Sequence, residues 1–225
     1  MRKSILIALA VAMVVALGAT AAVVGSEGQP AAKATAKVGD INILRQTDVD
    51  WTTIMKNTIK TGSQKDLFID VSLECGLYTY TQVKSKGGQK DTSEATAKIV
   101  VKVLVDGEKA YPGNVVFARR MQKLTATLEG QIFDAMSIVD GGLVLDPDLV
   151  EFEEIELFLN TMDANSFNFI MDDLHAGEHV VKVKAKIVTD TEVDEGAAEA
   201  WASIGKGSVT VEEVRMIQDE DILLE

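Results

Sequence analysis

Cysteine is almost missing from this chain: Cys75 is the only one in 225 residues. A single thiol excludes an intramolecular disulfide and any cysteine-rich metal knuckle, so a folded domain has to rest on apolar burial. Histidine is nearly as scarce, with His175 and His179 the only two. Both sit in one short segment, which leaves no imidazole elsewhere for a serine or cysteine triad. Basic residues are in deficit: 22 Lys and Arg stand against 35 Asp and Glu, a formal charge of −13. A surface of that sign repels phosphate backbones and anionic headgroups, so neither nucleic acid nor an anionic membrane surface is an expected partner. Its ordinary meaning is solubility. No basic stripe in the linear sequence argues otherwise.

What is present begins with an export signal. Arg2 and Lys3 precede an uncharged apolar run from Ile5 to Leu17, and Ala19-Thr20-Ala21 supplies a small-x-small cleavage pattern. Residues 1–25 therefore read as a signal peptide. The uncharged stretch runs on from Ser4 to Gly25, and a membrane span needs only about 20 apolar residues, so an uncleaved N-terminal anchor is the alternative. Either way, the chain beyond Val24 is expected outside the cytoplasm, secreted or at the cell surface. No lipobox cysteine follows the run. Residues 26–40 are small, polar and aperiodic, which reads as a flexible spacer before one domain over 41–225.

That domain is written at period two. Val181, Val183, Ala185 and Ile187 fall on one face of a strand and Lys182, Lys184 and Lys186 on the other. Ile99, Val101, Val103 and Val105 repeat the pattern and end at the turn dipeptide Asp106-Gly107. Tyr111-Pro112-Gly113 marks another turn. Leu67 to Cys75 and Tyr78 to Val83 flank Gly76, where a bulge or bend is expected. The stretch 147–162 carries a capping pattern, Asp148 with Glu151, that suits a short helix. The alternation of Ile155, Leu157 and Leu159 favours a strand instead. Asp163-Ala164-Asn165 separates this segment from the next, and Gly205 and Gly207 read as the turn before the last strand. The count is about nine or ten strands, an all-β antiparallel β-sandwich of jelly-roll or Greek-key type.

Chemistry-bearing residues are few. His175 and His179, four apart around Gly177 and preceded by Asp172 and Asp173, make the one candidate zinc site. The bland reading of the same residues is a tight connection into the following strand. Carboxylates cluster at Asp146 with Asp148, at Asp172 with Asp173, and over Asp190 to Glu195, read as three loops. Sandwich loops can pool such oxygens for calcium, although no EF-hand spacing is present. The chain has no Gly-x-Ser-x-Gly elbow and no His-Glu-x-x-His. Gly205-Lys206-Gly207-Ser208 has Ala200 where a phosphate loop needs its first glycine. Cys75 ends an apolar alternation and is expected to point inward as a small hydrophobe. Trp51, Trp201, Tyr78, Tyr80 and Tyr111 are the aromatics that could stack on sugar rings, with core packing the expectation for Tyr78 and Tyr80.

These features point to an exported, non-enzymatic β-sandwich acting in binding or assembly. Its expected partner is an extracellular protein, a glycan or a second copy. The alternatives are an extracellular carbohydrate-active hydrolase using paired carboxylates and a calcium-dependent carbohydrate-binding module.

Overall fold

Alternating apolar side chains have to be buried on one side of each strand, and two sheets facing each other are the simplest way to do it. The computed structural model describes residues 33–85, 89–128, 136–139, 142–145 and 153–216. All of them lie in the compact unit Ala32–Glu225. Residues 1–25, read from sequence as an export signal, lie outside the described residues.

The strands are β1 (Ala34–Gln46), β2 (Val49–Thr61), β3 (Lys65–Ser85), β4 (Gln89–Val105), β5 (Glu108–Lys109) and β6 (Val115–Leu128). They continue as β7 (Met136–Val139), β8 (Gly142–Leu145), β9 (Glu153–Leu174), β10 (Gly177–Val193) and β11 (Ala197–Val214). The first sheet has the order β1-β11-β3-β9; the second has β2-β10-β4, with β5 and β6 both pairing β4. Every pairing in both sheets is antiparallel. The fold is an all-β sandwich of nine strands in two packed sheets. The long strands alternate between the sheets except at β4 and β6, which follow each other in the second, so that the first lies beside the last and the second beside the last but one. That is the jelly-roll order. β7 and β8 form a hairpin of their own.

The core is the inner row of each strand. Leu67, Ile69, Val71 and Leu73 of β3 face Ile99, Val101 and Val103 of β4, flanked by Val181, Val183 and Ile187 of β10 and Val209 and Val211 of β11, all buried. Cys75 is in this core, as its alternation implies. Asp106 and Gly107 take positive φ, 52° and 100°, in the two-residue turn that joins β4 to β5.

Several expectations are corrected. The spacer read over 26–40 is already strand from Ala34 onward, because β1 pairs along β11 from Ala34↔Glu212. The helix considered over 147–162 is excluded at 153–162, where β9 runs unbroken through Asp163-Ala164-Asn165; 147–152 lie outside the described residues. Gly76 carries no bulge, since β3 and β9 stay in register through Gly76↔Met162. It is a close approach instead: an added Cβ there would lie 2.2 Å from Ser203 Oγ. Gly205 and Gly207 are inside β11, not in a turn, and the register shift falls between Ile204 and Gly207. Side chains of Ile41 and Leu73 fill the space where a Gly207 Cβ would stand.

Candidate functional site

The zinc candidates do not converge. His179, on the inner face of β10, is fully buried. Its Nδ1 lies 2.8 Å from Asp106 Oδ2, and its Nε2 lies 2.9 Å from the His175 carbonyl and 3.2 Å from Thr61 Oγ1. The Asp106 turn is anchored by the Val180 N–H, which donates to Asp106 Oδ1 at 2.8 Å. Both ring nitrogens of His179 are thus occupied by oxygens. His175 packs edge-on against it, ring centroids 5.0 Å apart, with its own side chain exposed. Asp172 is exposed, and Asp173 accepts from Gln64 Nε2 at 3.1 Å. Among the described residues no group of three His, Cys, Asp or Glu side chains is placed to hold a metal ion.

Asp106, His179 and Thr61 do form a carboxylate–imidazole–hydroxyl series, which sequence reading missed because the three lie on separate strands and turns. In a hydrolase such a series activates the hydroxyl. Here Thr61 is 2% exposed and its hydroxyl donates to the His175 carbonyl at 2.9 Å. No substrate can reach it, so the series acts as a buried clamp between β2, β10 and the β4–β5 turn. Burial alone would raise the Asp106 pKa; the Val180 N–H and the His179 ring outweigh it and hold the carboxyl below its ordinary value.

The acidic loops also resolve differently. Asp190 to Val193 belong to β10 and pair with β4 from Thr96 to Ser93, leaving Asp194 and Glu195 in the turn. Asp146 and Asp148 lie outside the described residues. Cys75 is no nucleophile: burial pushes its thiol up to about 11, against the lowering bond from Asn165 and with a further push from Asp163.

What the fold exposes is surface. β9 is one edge of the first sheet, opposite β1, and β6, an edge of the second, packs across the sheets mainly over β3. Gln122 of β6 reaches across to Thr79, Thr81 and the Leu157 carbonyl, and Arg120 reaches to the Leu77 carbonyl and Thr161. Around that polar seam the inner row of β9 is only partly covered at its Ile155 to Leu159 end. Ile155, Leu157 and Leu159 face inward yet stay 42, 41 and 44% exposed. The result is an apolar shelf along β9, whose outer edge, among the described residues, pairs at Ile170 with Tyr111.

Tyr78 and Tyr80 are not core residues, contrary to expectation. They stand on the outer face of β3 with Asp70 and Glu74, because Leu77, Thr79 and Thr81 take the inward positions. Tyr78 stacks on Trp201 of β11, centroids 4.8 Å apart and planes within 9°. The Tyr80 hydroxyl donates to Glu156 of β9 at 3.1 Å.

No family model and no curated protein matches the chain. Among solved structures, a likeness to infectious bursal disease virus (Gx strain) has 6% identity and a TM-score of 0.15. It covers 85% of this chain, which spans 43% of that one.

Proposed function

We propose that this protein is an exported, non-enzymatic β-sandwich that works outside the cytoplasm or at the cell surface by binding or assembly. The observation that carries the reading is the partly covered side of the jelly roll: a long edge strand whose inward apolar residues Ile155, Leu157 and Leu159 stay 42, 41 and 44% exposed. Exposed apolar edges are templates for pairing with another chain, and proteins that do not use them cover or charge them. The leader-like residues 1–25 supply the export half of the argument.

The test is the molar mass of residues 26–225 by light scattering on a sizing column under reducing conditions. A defined oligomer that dissociates with Leu157→Asp supports the proposal. A monomer at all concentrations removes the assembly half and leaves external ligands. One observation favours a glycan among these: the Tyr78–Trp201 stack beside Tyr80 and Glu156 on an open sheet face. Glycan binding abolished by Tyr78→Ala would establish that second reading.

A further inference from the structure

The outer face of the second sheet carries its charge in a costly arrangement. Lys182 of β10 stands directly across from Lys56 of β2, and Lys184 directly across from Lys102 of β4. Like charges opposite each other on neighbouring strands repel. Lys98 and Lys186 extend the block on the same face. Lys102 leans over the Trp51 ring at 3.9 Å, and Lys186 approaches Asp50 at 3.8 Å. Among the described residues Lys56, Lys98, Lys182 and Lys184 have no carboxylate within ion-pair distance. Glu178 stands across from Lys60 and Asp50 reaches Lys186, while the other acidic groups of these strands on this face, Glu94, Asp190 and Glu192, gather at the far end of β4 and β10. In a chain of charge −13 this concentration of unneutralised ammonium groups needs a reason.

The outer face of the first sheet has the opposite sign. Asp70, Glu74, Glu156, Glu199 and Glu212 lie on it, between the inward positions of β3, β9 and β11. Among the described side chains its basic ones are Lys84, already paired with Glu154 at 2.6 Å, and Lys206. The same face presents Tyr78, Tyr80 and Trp201. An ammonium group can be satisfied there by a carboxylate or by a ring face, as Lys102 already is by Trp51.

We infer that the partner of this protein is a second copy of itself, the lysine face of one copy lying on the acidic, aromatic face of the next. This rests on the assembly half of the proposed function, names the partner, and places the contact on the sheet faces, a surface other than the β9 shelf. Four strands at about 4.8 Å spacing, over roughly twelve residues at about 3.3 Å rise, make a face on the order of 19 by 40 Å. That approaches the ~800 Å² per partner of a standard interface. The two faces are different surfaces on opposite sides of the sandwich, so the contact is heterologous. Each copy therefore offers a fresh face to the next, and the assembly grows as a filament or closes as a ring.

The experiment is sedimentation velocity on residues 26–225, which contain the whole compact unit. Four proteins are compared at about 20 mM and about 1 M salt: the parent, K182E/K184E, E156K/E212K, and an equimolar mixture of the two variants. Far-UV circular dichroism and melting temperature confirm that each variant folds. The parent should associate at low salt and weaken at least about tenfold at high salt. Each variant alone, with two faces closer to one sign, should lose association by about tenfold or more. The mixture should regain it, because one variant is acidic where the other is basic. Association indifferent to salt and to both reversals overturns the face pairing while leaving assembly through the β6–β9 side standing. A parent that is monomeric throughout overturns both. A monomeric parent whose retention on heparin is lost only in K182E/K184E assigns the lysine face to a polyanion and overturns the inference.

Discussion

Asp91 should be the most sensitive polar residue in the molecule. It opens the inward row of β4, is 1% exposed, and its carboxylate accepts three backbone N–H groups. Lys84 donates at 2.6 Å, Thr92 at 2.8 Å and Glu195 at 3.0 Å. One side chain thereby ties the end of β3 in the first sheet to β4 in the second and to the β10–β11 turn. The same junction is closed by Ser93 Oγ, which donates to the Ala197 carbonyl at 2.7 Å, and by Gly196, whose added Cβ would lie 1.8 Å from the Gln82 carbonyl oxygen. Hydrogen bonds to a charged group contribute about 1.5–3 kcal/mol each, so the three sum to roughly 4.5–9 kcal/mol gross. Lys84 and Glu195 are not buried, so water recaptures part of their loss. Asp91→Ala should then cost about 3–5 kcal/mol net. Asp91→Asn keeps the oxygen for Thr92 and Glu195 but turns an amide donor toward the Lys84 N–H, and should cost about 1.5–3 kcal/mol. Equilibrium urea unfolding followed by far-UV circular dichroism measures both, and the slope with denaturant should not change. Gly196→Ala should be severe as well, and D91A/G196A less than additive because both break one junction. An Asp91→Ala protein within about 1 kcal/mol of the parent would refute the reasoning.

Cys75, with its thiol pushed up to about 11, should resist a disulfide reagent at pH 8 in the native chain and react at once in denaturant; rapid native labelling would show an open core. Asp106 is held below its ordinary carboxyl pKa of 3.8. Its contribution is therefore present above that value and lost as pH falls through the lower folded one. An acid titration of Asp106→Asn should lack that last decline, and an unchanged acid limb would sink the assignment. Phe169, fully buried and edge-on to Phe167 at 5.4 Å, should lose about 3–5 kcal/mol on substitution by alanine, read by urea unfolding. Zinc added to the purified protein should leave its melting temperature unchanged, since both nitrogens of His179 are occupied; a saturable rise abolished by His175→Ala would refute this.

The fold was legible where burial is one-sided. Val181 to Ile187 and Ile99 to Val105 alternate because one face of each strand is core, and the structure places them as the central strands of one sheet. β9 could be told from a helix on the same ground, from Ile155, Leu157 and Leu159. Reading failed where pairing and not burial makes the strand. Ala34 to Asp40 carries too little apolar alternation to announce β1, yet its backbone pairs residue by residue with β11. Gly205 and Gly207 carry the marks of a turn in sequence. In space they are positions where Glu74, Ile41 and Leu73 leave no room for a side chain.

The candidate site was less legible, and the reason is that charge was read as a sum. A net charge of −13 argues for one repulsive surface, but the jelly-roll order sorts the charges before any partner meets them. β4 and β10 are adjacent and bring their alternate lysines to one face; β3, β9 and β11 bring carboxylates to the other. Lys184 meets Lys102 only because strands 82 positions apart in sequence pair in that register. The two sheets of a sandwich lie about 10 Å apart, and the screening length at physiological salt is about 8 Å. An approaching surface therefore responds to the face in front of it more than to the total. Net charge alone does not decide partner chemistry face by face, and for the lysine face the partner we infer is an anionic surface. The chain itself carries that chemistry on its opposite side.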